Sequence, residues 1–124
     1  MFDLNVVADG AVPILHGVYP GNRTDDSLQR GNWQGLTELL GTPQFVCVAD
    51  SKLCTKDNLS LIASSGGKFV TVLPRSRSED KRFRAKLKEQ PVRWRKLLER
   101  PPKRLGDPPD VYSSCAAPDL TDDG

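Results

Sequence analysis

The sequence predicts an α/β fold, with a mixed sheet and helices packed against it. Three observations predict this. A strand–turn–strand pattern opens the chain, apolar strand-like runs then alternate with capped helical segments, and turn residues bound each run.

Phe2-Asp3-Leu4-Asn5-Val6-Val7 alternates roughly as a strand should, and Asp9-Gly10 is a hairpin signal. Val12 to Tyr19 reads as the returning strand, where Pro13 near the start fits an edge position. Pro20-Gly21-Asn22-Arg23-Thr24 is a loop. Thr24, Asp25 and Asp26 are candidate caps for a helix over about 26–40, with Leu28, Leu36, Leu39 and Leu40 as its apolar side. Gly41 ends that helix and Pro43 prevents its continuation. Phe45-Val46-Cys47-Val48-Ala49 is short, apolar throughout and bounded by turn residues, the pattern of a buried central strand. Thr55 caps a helix over about 56–65 with Leu59, Leu61, Ile62 and Ala63, closed by Gly66-Gly67. Lys68 to Pro74 is another strand. Residues 1–74 therefore run β-β-α-β-α-β.

Beyond Pro74 the composition changes, which divides the chain into segments 1–74 and 75–124. Ser78-Glu79-Asp80 opens a basic helix over about 79–89, with Phe83 and Leu87 on one face. Residues 91–98 are ambiguous between strand and helix, Pro101-Pro102 and Pro108-Pro109 are breakers, and Val111-Tyr112-Ser113 reads as a short strand. The tail from Asp119 to Gly124 is acidic.

The 124 residues suffice for one domain or part of one, but an apolar content of 37% is low for a self-sufficient globule. No run of eighteen apolar residues predicts a membrane span, and no membrane partner is expected. The start, MFDLNVVADG, lacks the basic and apolar regions of a signal peptide, so a cytoplasmic location is expected. Cys47, Cys54 and Cys115 are odd in number and form no CxxC, which indicates neither a disulfide framework nor a zinc site. Cys47 reads as a reduced core residue, and His16 as a strand or loop residue without catalytic partners.

The net charge of +2 hides a segregation: −3 over residues 1–67, +10 over 68–104 and −5 over 105–124. Fourteen basic residues among the middle thirty-seven exceed what solubility needs and point to a polyanionic partner, DNA first. The candidate DNA contacts are Lys52, Arg75, Arg77, Lys81, Arg82, Arg84, Arg93 and Arg95, with Lys86 and Lys88 on the same basic segment. Trp94 lies between two cations and offers a stacking platform, but a core position is the expectation for it.

Asp50 ends the apolar run and has two readings. It caps the turn into Ser51-Lys52, or it is a functional carboxylate just past a strand's carboxyl end, where open sheets collect such groups. The words around it resemble bacterial insertion-sequence transposases with a DDE catalytic domain. GVYPGNRTDD at 17–26 looks like the family's glycine-asparagine loop. VADSKLCTKDNL at 48–59 looks like the strand bearing its second catalytic aspartate and the helix that follows, and GGKFVTVLP at 66–74 looks like the next core strand. SRSEDKRFR and PPDVYSS resemble the insertion of the branch with a long segment between second and third acids.

The resemblance implies a partial ribonuclease-H-like mixed sheet with flanking helices, lacking the first strand and the last catalytic helix and followed by a basic insertion segment. It implies DNA strand cleavage and transfer in the intact family, driven by two Mg²⁺ (or Mn²⁺) ions about 4 Å apart on hard carboxylate ligands. Asp50 corresponds to the second acid and metal ligand. Asp3 and Asp9 do not match the first, and Glu79, Glu89 and Glu99 fall in the insertion. The chain is therefore expected to be a fragment, inactive alone and binding metal weakly or not at all. Without the first strand, the hairpin and the Phe45–Ala49 strand are expected to have no common neighbour. The expected partners are DNA and a full-length transposase or a companion chain supplying the missing acids. The alternative from the same residues is a non-catalytic DNA-binding or interaction protein that modulates a full-length transposase.

Overall fold

A computed structural model describes residues 1–23 and 25–116. The alternating segments at the start form strand β1 (Phe2–Val6) and its antiparallel partner β2 (Pro13–Val18). The turn between them holds Gly10 and Ala11 at positive φ, 74° and 52°. Successive left-handed residues suit the twist of a hairpin, and glycine adopts that conformation without strain. The register shifts between Asn5 and Val6, where Pro13 enters the pair with no N–H to donate.

Helix α1 (Asp25–Leu40) follows and buries Leu28, Trp33 and Leu36. Strand β3 (Val46–Val48) leads into a 3-10 turn over Ser51–Leu53 and then helix α2 (Lys56–Ser64). Thr55 caps α2 as its sequence predicts, its hydroxyl accepting from the Asn58 N–H at 3.3 Å. Strand β4 (Lys68–Val70) then pairs parallel with β3.

The core forms where these elements meet. Trp33 of α1, Leu53 of the 3-10 turn and Ile62 of α2 are 4%, 0% and 1% exposed, and Phe45, Cys47, Ala49 and Leu61 pack against them. Trp33 stacks on Phe45 with ring centroids 6.1 Å apart. Gly67 passes so close that a Cβ there would lie 3.0 Å from Ile62 Cγ2 and 3.1 Å from Trp33 Cζ2. The hairpin is fastened to α1 by a reciprocal amide pair. Asn5 Nδ2 donates to Asn32 Oδ1 at 2.6 Å, and Asn32 Nδ2 donates to Asn5 Oδ1 at 2.9 Å.

The chain divides after Pro74 into two compact units, Met1–Pro74 and Arg75–Gly124. The second contains helix α3 (Ser78–Glu89) and an antiparallel hairpin of β5 (Arg95–Arg100) and β6 (Asp110–Ser114). Phe83 and Leu87 are half-buried on α3, whereas all six residues of β5 are exposed.

Several expectations are corrected. The α/β content is present, but the described strands form three separate two-stranded sheets, β1-β2, β3-β4 and β5-β6, and no single mixed sheet; that the hairpin and β3 share no neighbour is as expected. No described strand lies between β1 and β3 to join the first two. For the same reason β3 is not buried on both faces: Val46 is 55% and Val48 73% exposed. The ladder expected over Lys68–Pro74 stops at Val70 because β3 stops at Val48. Thr71 then turns its hydroxyl to the Asp50 carbonyl, 2.5 Å away. Leu39 and Leu40 are exposed, and Trp33 takes the core position expected of them. Trp94 is 57% exposed and not core. Of the ambiguous stretch at 91–98, residues 95–98 lie in strand β5 and residues 91–94 in neither strand nor helix. Thr24 and the acidic tail from Asp119 lie outside the described residues. Among the described residues no helix is long and apolar enough to cross a membrane.

A core this small makes each member costly to remove. Leu53→Ala is expected to lower unfolding free energy by about 2–5 kcal/mol. Val48→Ala, at a largely exposed position, should stay within about 0.5 kcal/mol, both read from urea unfolding curves.

Candidate functional site

Asp50 sits where β3 and β4 both reach their carboxyl ends. Ala49 N–H donates to the Val70 carbonyl at 3.2 Å, the last bond of the pair, and Asp50 follows. Its backbone leaves the strand at φ −70°, ψ −171° and becomes the N-cap of the 3-10 turn. Asp50 Oδ1 accepts from the Lys52 N–H at 2.9 Å, and its carbonyl accepts from both the Thr71 hydroxyl and the Leu53 N–H, the latter at 3.1 Å. The cap and the core are one device, because the same turn that Asp50 starts delivers Leu53 into the interior. Asp50 is nonetheless exposed, and its second carboxylate oxygen has no hydrogen-bond partner among the described residues.

Both readings of Asp50 are thus compatible with its position: the carboxylate caps the turn with one oxygen and presents the other outward. Among the described residues no group of three or more His, Cys, Asp or Glu side chains could hold a metal ion, so Asp50 belongs to no such cluster there. Cys47, two residues earlier in β3, points the opposite way to Val46 and Val48 and packs against the core. Burial pushes its thiol pKa up, since a thiolate there would lose its hydration.

The candidate DNA contacts separate by what they touch. Arg77 grips Glu79 with two nitrogens, Nε to Oε2 at 3.1 Å and Nη2 to Oε1 at 2.6 Å, and both side chains are largely buried. Arg84 holds Asp80 one turn back on α3 at 2.8 Å. These two arginines stabilise the start of α3, where carboxylates also favour the helix dipole. Arg82 is half-buried and Lys52 is exposed in the 3-10 turn beside Asp50. Arg75, Lys81, Arg93 and Arg95 are exposed and have no ion pair among the described residues. Lys81 and Lys88, seven residues apart, share a face of α3 opposite to that of the half-buried Phe83 and Leu87. In the hairpin, Lys96 pairs with Glu99, and Arg100 lies 5.5 Å from the Tyr112 ring centre.

Sequence reasoning missed Leu53 and Trp33 as the residues that hold Asp50's turn in place. Leu53 follows the polar pair Ser51-Lys52 and belongs to no periodic run, so only the cap at Asp50 hinted at it. No protein-family model, curated protein or solved structure matches the chain.

The raised pKa of Cys47 has a definite sign in stability. The unfolded thiol ionises first, so stability is full below its ordinary pKa of about 8.5 and falls as pH rises above it. The urea midpoint of the native chain should therefore fall more steeply than that of Cys47→Ala as pH goes from about 8 to about 10. Equal slopes would remove Cys47 from the account.

Proposed function

We propose that this chain is part of a DDE transposase catalytic domain of ribonuclease-H-like fold, with Asp50 as one of its acids, and that it does not cleave DNA alone. One observation supports this above the others. A β-β-α-β-α-β order holds an exposed aspartate at the carboxyl end of β3, fixed by the 3-10 turn and by Thr71, with one oxygen outward. The family resemblance at 48–59 points to that same residue. On this reading the protein is cytoplasmic, and its partners are DNA and a transposase or companion chain that brings the remaining acids.

The residues present do not by themselves fit a pair of Mg²⁺ or Mn²⁺ ions. One carboxylate, with one oxygen already accepting from the Lys52 N–H, offers too few hard ligands to displace the water that Mg²⁺ keeps. No chemical step is therefore assigned to this chain alone.

A second reading has its own support in Arg75, Lys81, Arg93 and Arg95, four exposed cations without ion pairs among the described residues. They suit salt-sensitive contact with DNA phosphates, as in a non-catalytic protein that modulates a full-length transposase.

Plasmid nicking separates the two. The chain is incubated with Mg²⁺ or Mn²⁺, alone and with a companion polypeptide carrying an aspartate-bearing strand and a glutamate-bearing helix. The expected result is nicking only in the mixture, lost at least a hundredfold in Asp50→Asn. DNA binding that needs no metal, together with a mixture indifferent to Asp50→Asn, would discard the transposase reading in favour of the second. In that case the joint replacement of Arg93 and Arg95 by alanine should weaken binding and flatten its dependence on salt by about two units of the logarithmic slope.

A further inference from the structure

The hairpin of β5 and β6 turns through residues 101–109, and every one of them is exposed. Pro101-Pro102 and Pro108-Pro109 bracket this loop. Having no N–H to donate, they stop the ladder at the Arg100–Asp110 pair, and with φ fixed they stiffen both legs of the loop. At the apex the Asp107 N–H donates to the Arg104 carbonyl at 3.3 Å, and Gly106 has φ 95°. That is a type II turn, with Leu105 at its outer corner.

Leu105 is 107% exposed, more than any other large apolar residue described. Lys103 and Arg104 precede it without an ion pair among the described residues, and Asp107 is the acid of the loop. A single exposed leucine is ordinary. One held at the corner of a proline-stiffened turn, beside two unpaired cations, is placed for a partner.

That partner must take up one apolar side chain and offer anions beside it. The basic surplus over residues 68–104 calls for a polyanion. The minor groove of duplex DNA meets both demands. It is about 6 Å wide, phosphates wall it, and its base steps admit leucine as an apolar wedge. A lipid surface fits less well, because even a myristoyl chain, far longer than one leucine side chain, binds membranes only marginally. The body of the hairpin is less suited to entering a groove than its tip. Lys96 is paired with Glu99, Arg100 lies 5.5 Å from the Tyr112 ring centre, and Asp110 on the return strand would meet phosphates unfavourably.

We propose that the 101–109 tip enters the minor groove of duplex DNA, where Leu105 wedges between two base pairs and kinks the duplex while Lys103 and Arg104 hold the flanking phosphates. The wedge rests on the reading of the basic segment as a DNA contact, and adds the groove, the element that enters it and the deformation it causes. Side-chain wedges of this kind bend DNA by about 20–90°. Unstacking opposes the gain from burying Leu105, so the wedge sets the shape of the complex more than its affinity.

The test uses the full chain and an AT-rich duplex of about 24 base pairs with flexible TA steps, dyes at both ends and a fluorescent adenine analogue at its centre. Anisotropy reads binding, energy transfer between the ends reads bending, and emission of the analogue reads unstacking. The native chain is expected to bring the ends closer and to raise the emission at least threefold. Leu105→Ala, at a fully exposed site and so tolerated by the fold, should lose both signals while weakening binding less than tenfold. Leu105→Phe should restore both. Joint replacement of Lys103 and Arg104 by alanine should weaken binding at least tenfold at low salt. A bound duplex that stays straight, or that bends equally with Leu105→Ala, overturns the wedge and leaves the DNA contact standing. No binding to the duplex overturns both. Leu105-dependent binding to phosphatidylserine vesicles without duplex binding also overturns the wedge and assigns the tip to an anionic lipid surface.

Discussion

The contact of Trp33, Leu53 and Ile62 is the one on which the rest of the first unit depends. These residues come from a helix, a 3-10 turn and a second helix, and all are buried. They matter because the two sheets of the unit share no hydrogen-bonded strand. The parallel pair is held by Phe45, Cys47 and Ala49 packing on this cluster. The hairpin is held by α1, through the Asn5–Asn32 amide pair and the close approach of Gly35 to Leu15. A helical layer therefore organises strands that do not organise one another. Small cores of this kind bury a low share of apolar surface and leave marginal stability.

The same constraint explains the exposed apolar surface. Strand residues alternate between faces, and only one face of each sheet meets the helices. Leu4 and Val6 of β1, Val46 and Val48 of β3 and Val70 of β4 lie on the other and are between 48% and 73% exposed. Among the described residues the strands also have open edges, and open edges are a known liability when nothing covers them. Asp50 belongs to this picture. It stands just past the end of β3, which has a strand partner on one edge only among the described residues.

Much of the element order was legible in the sequence. Gly41 and Pro43 stop α1, Thr55 starts α2, and Gly66-Gly67 ends it, because caps and breakers act locally. Asp50 was legible as a cap for the same reason. What sequence could not convey was how far each strand is covered. Phe45–Ala49 is apolar throughout and reads as a strand buried on both faces, yet burial depends on neighbours supplied by distant segments, and β3 has one such neighbour. Leu39 and Leu40 read as core because they continue the helical spacing, but in the last turn of α1 they are 55% and 47% exposed. Cations were legible as a block but not individually: Arg77 and Glu79 are two residues apart, and only the local fold shows that they form a bidentate pair.

The measurement that tests this account most directly is native-state amide exchange on the chain alone, residue by residue across β1 and β3. Asp3, Asn5, Cys47 and Ala49, bonded within their pairs, should exchange slowly. Leu4, Val6, Val46 and Val48, whose backbone groups turn away from β2 and β4 by the alternation of the ladders, should exchange at least tenfold faster. Uniform slow exchange at all eight positions would mean that the two sheets are already joined, which contradicts an organisation held by the helical layer alone.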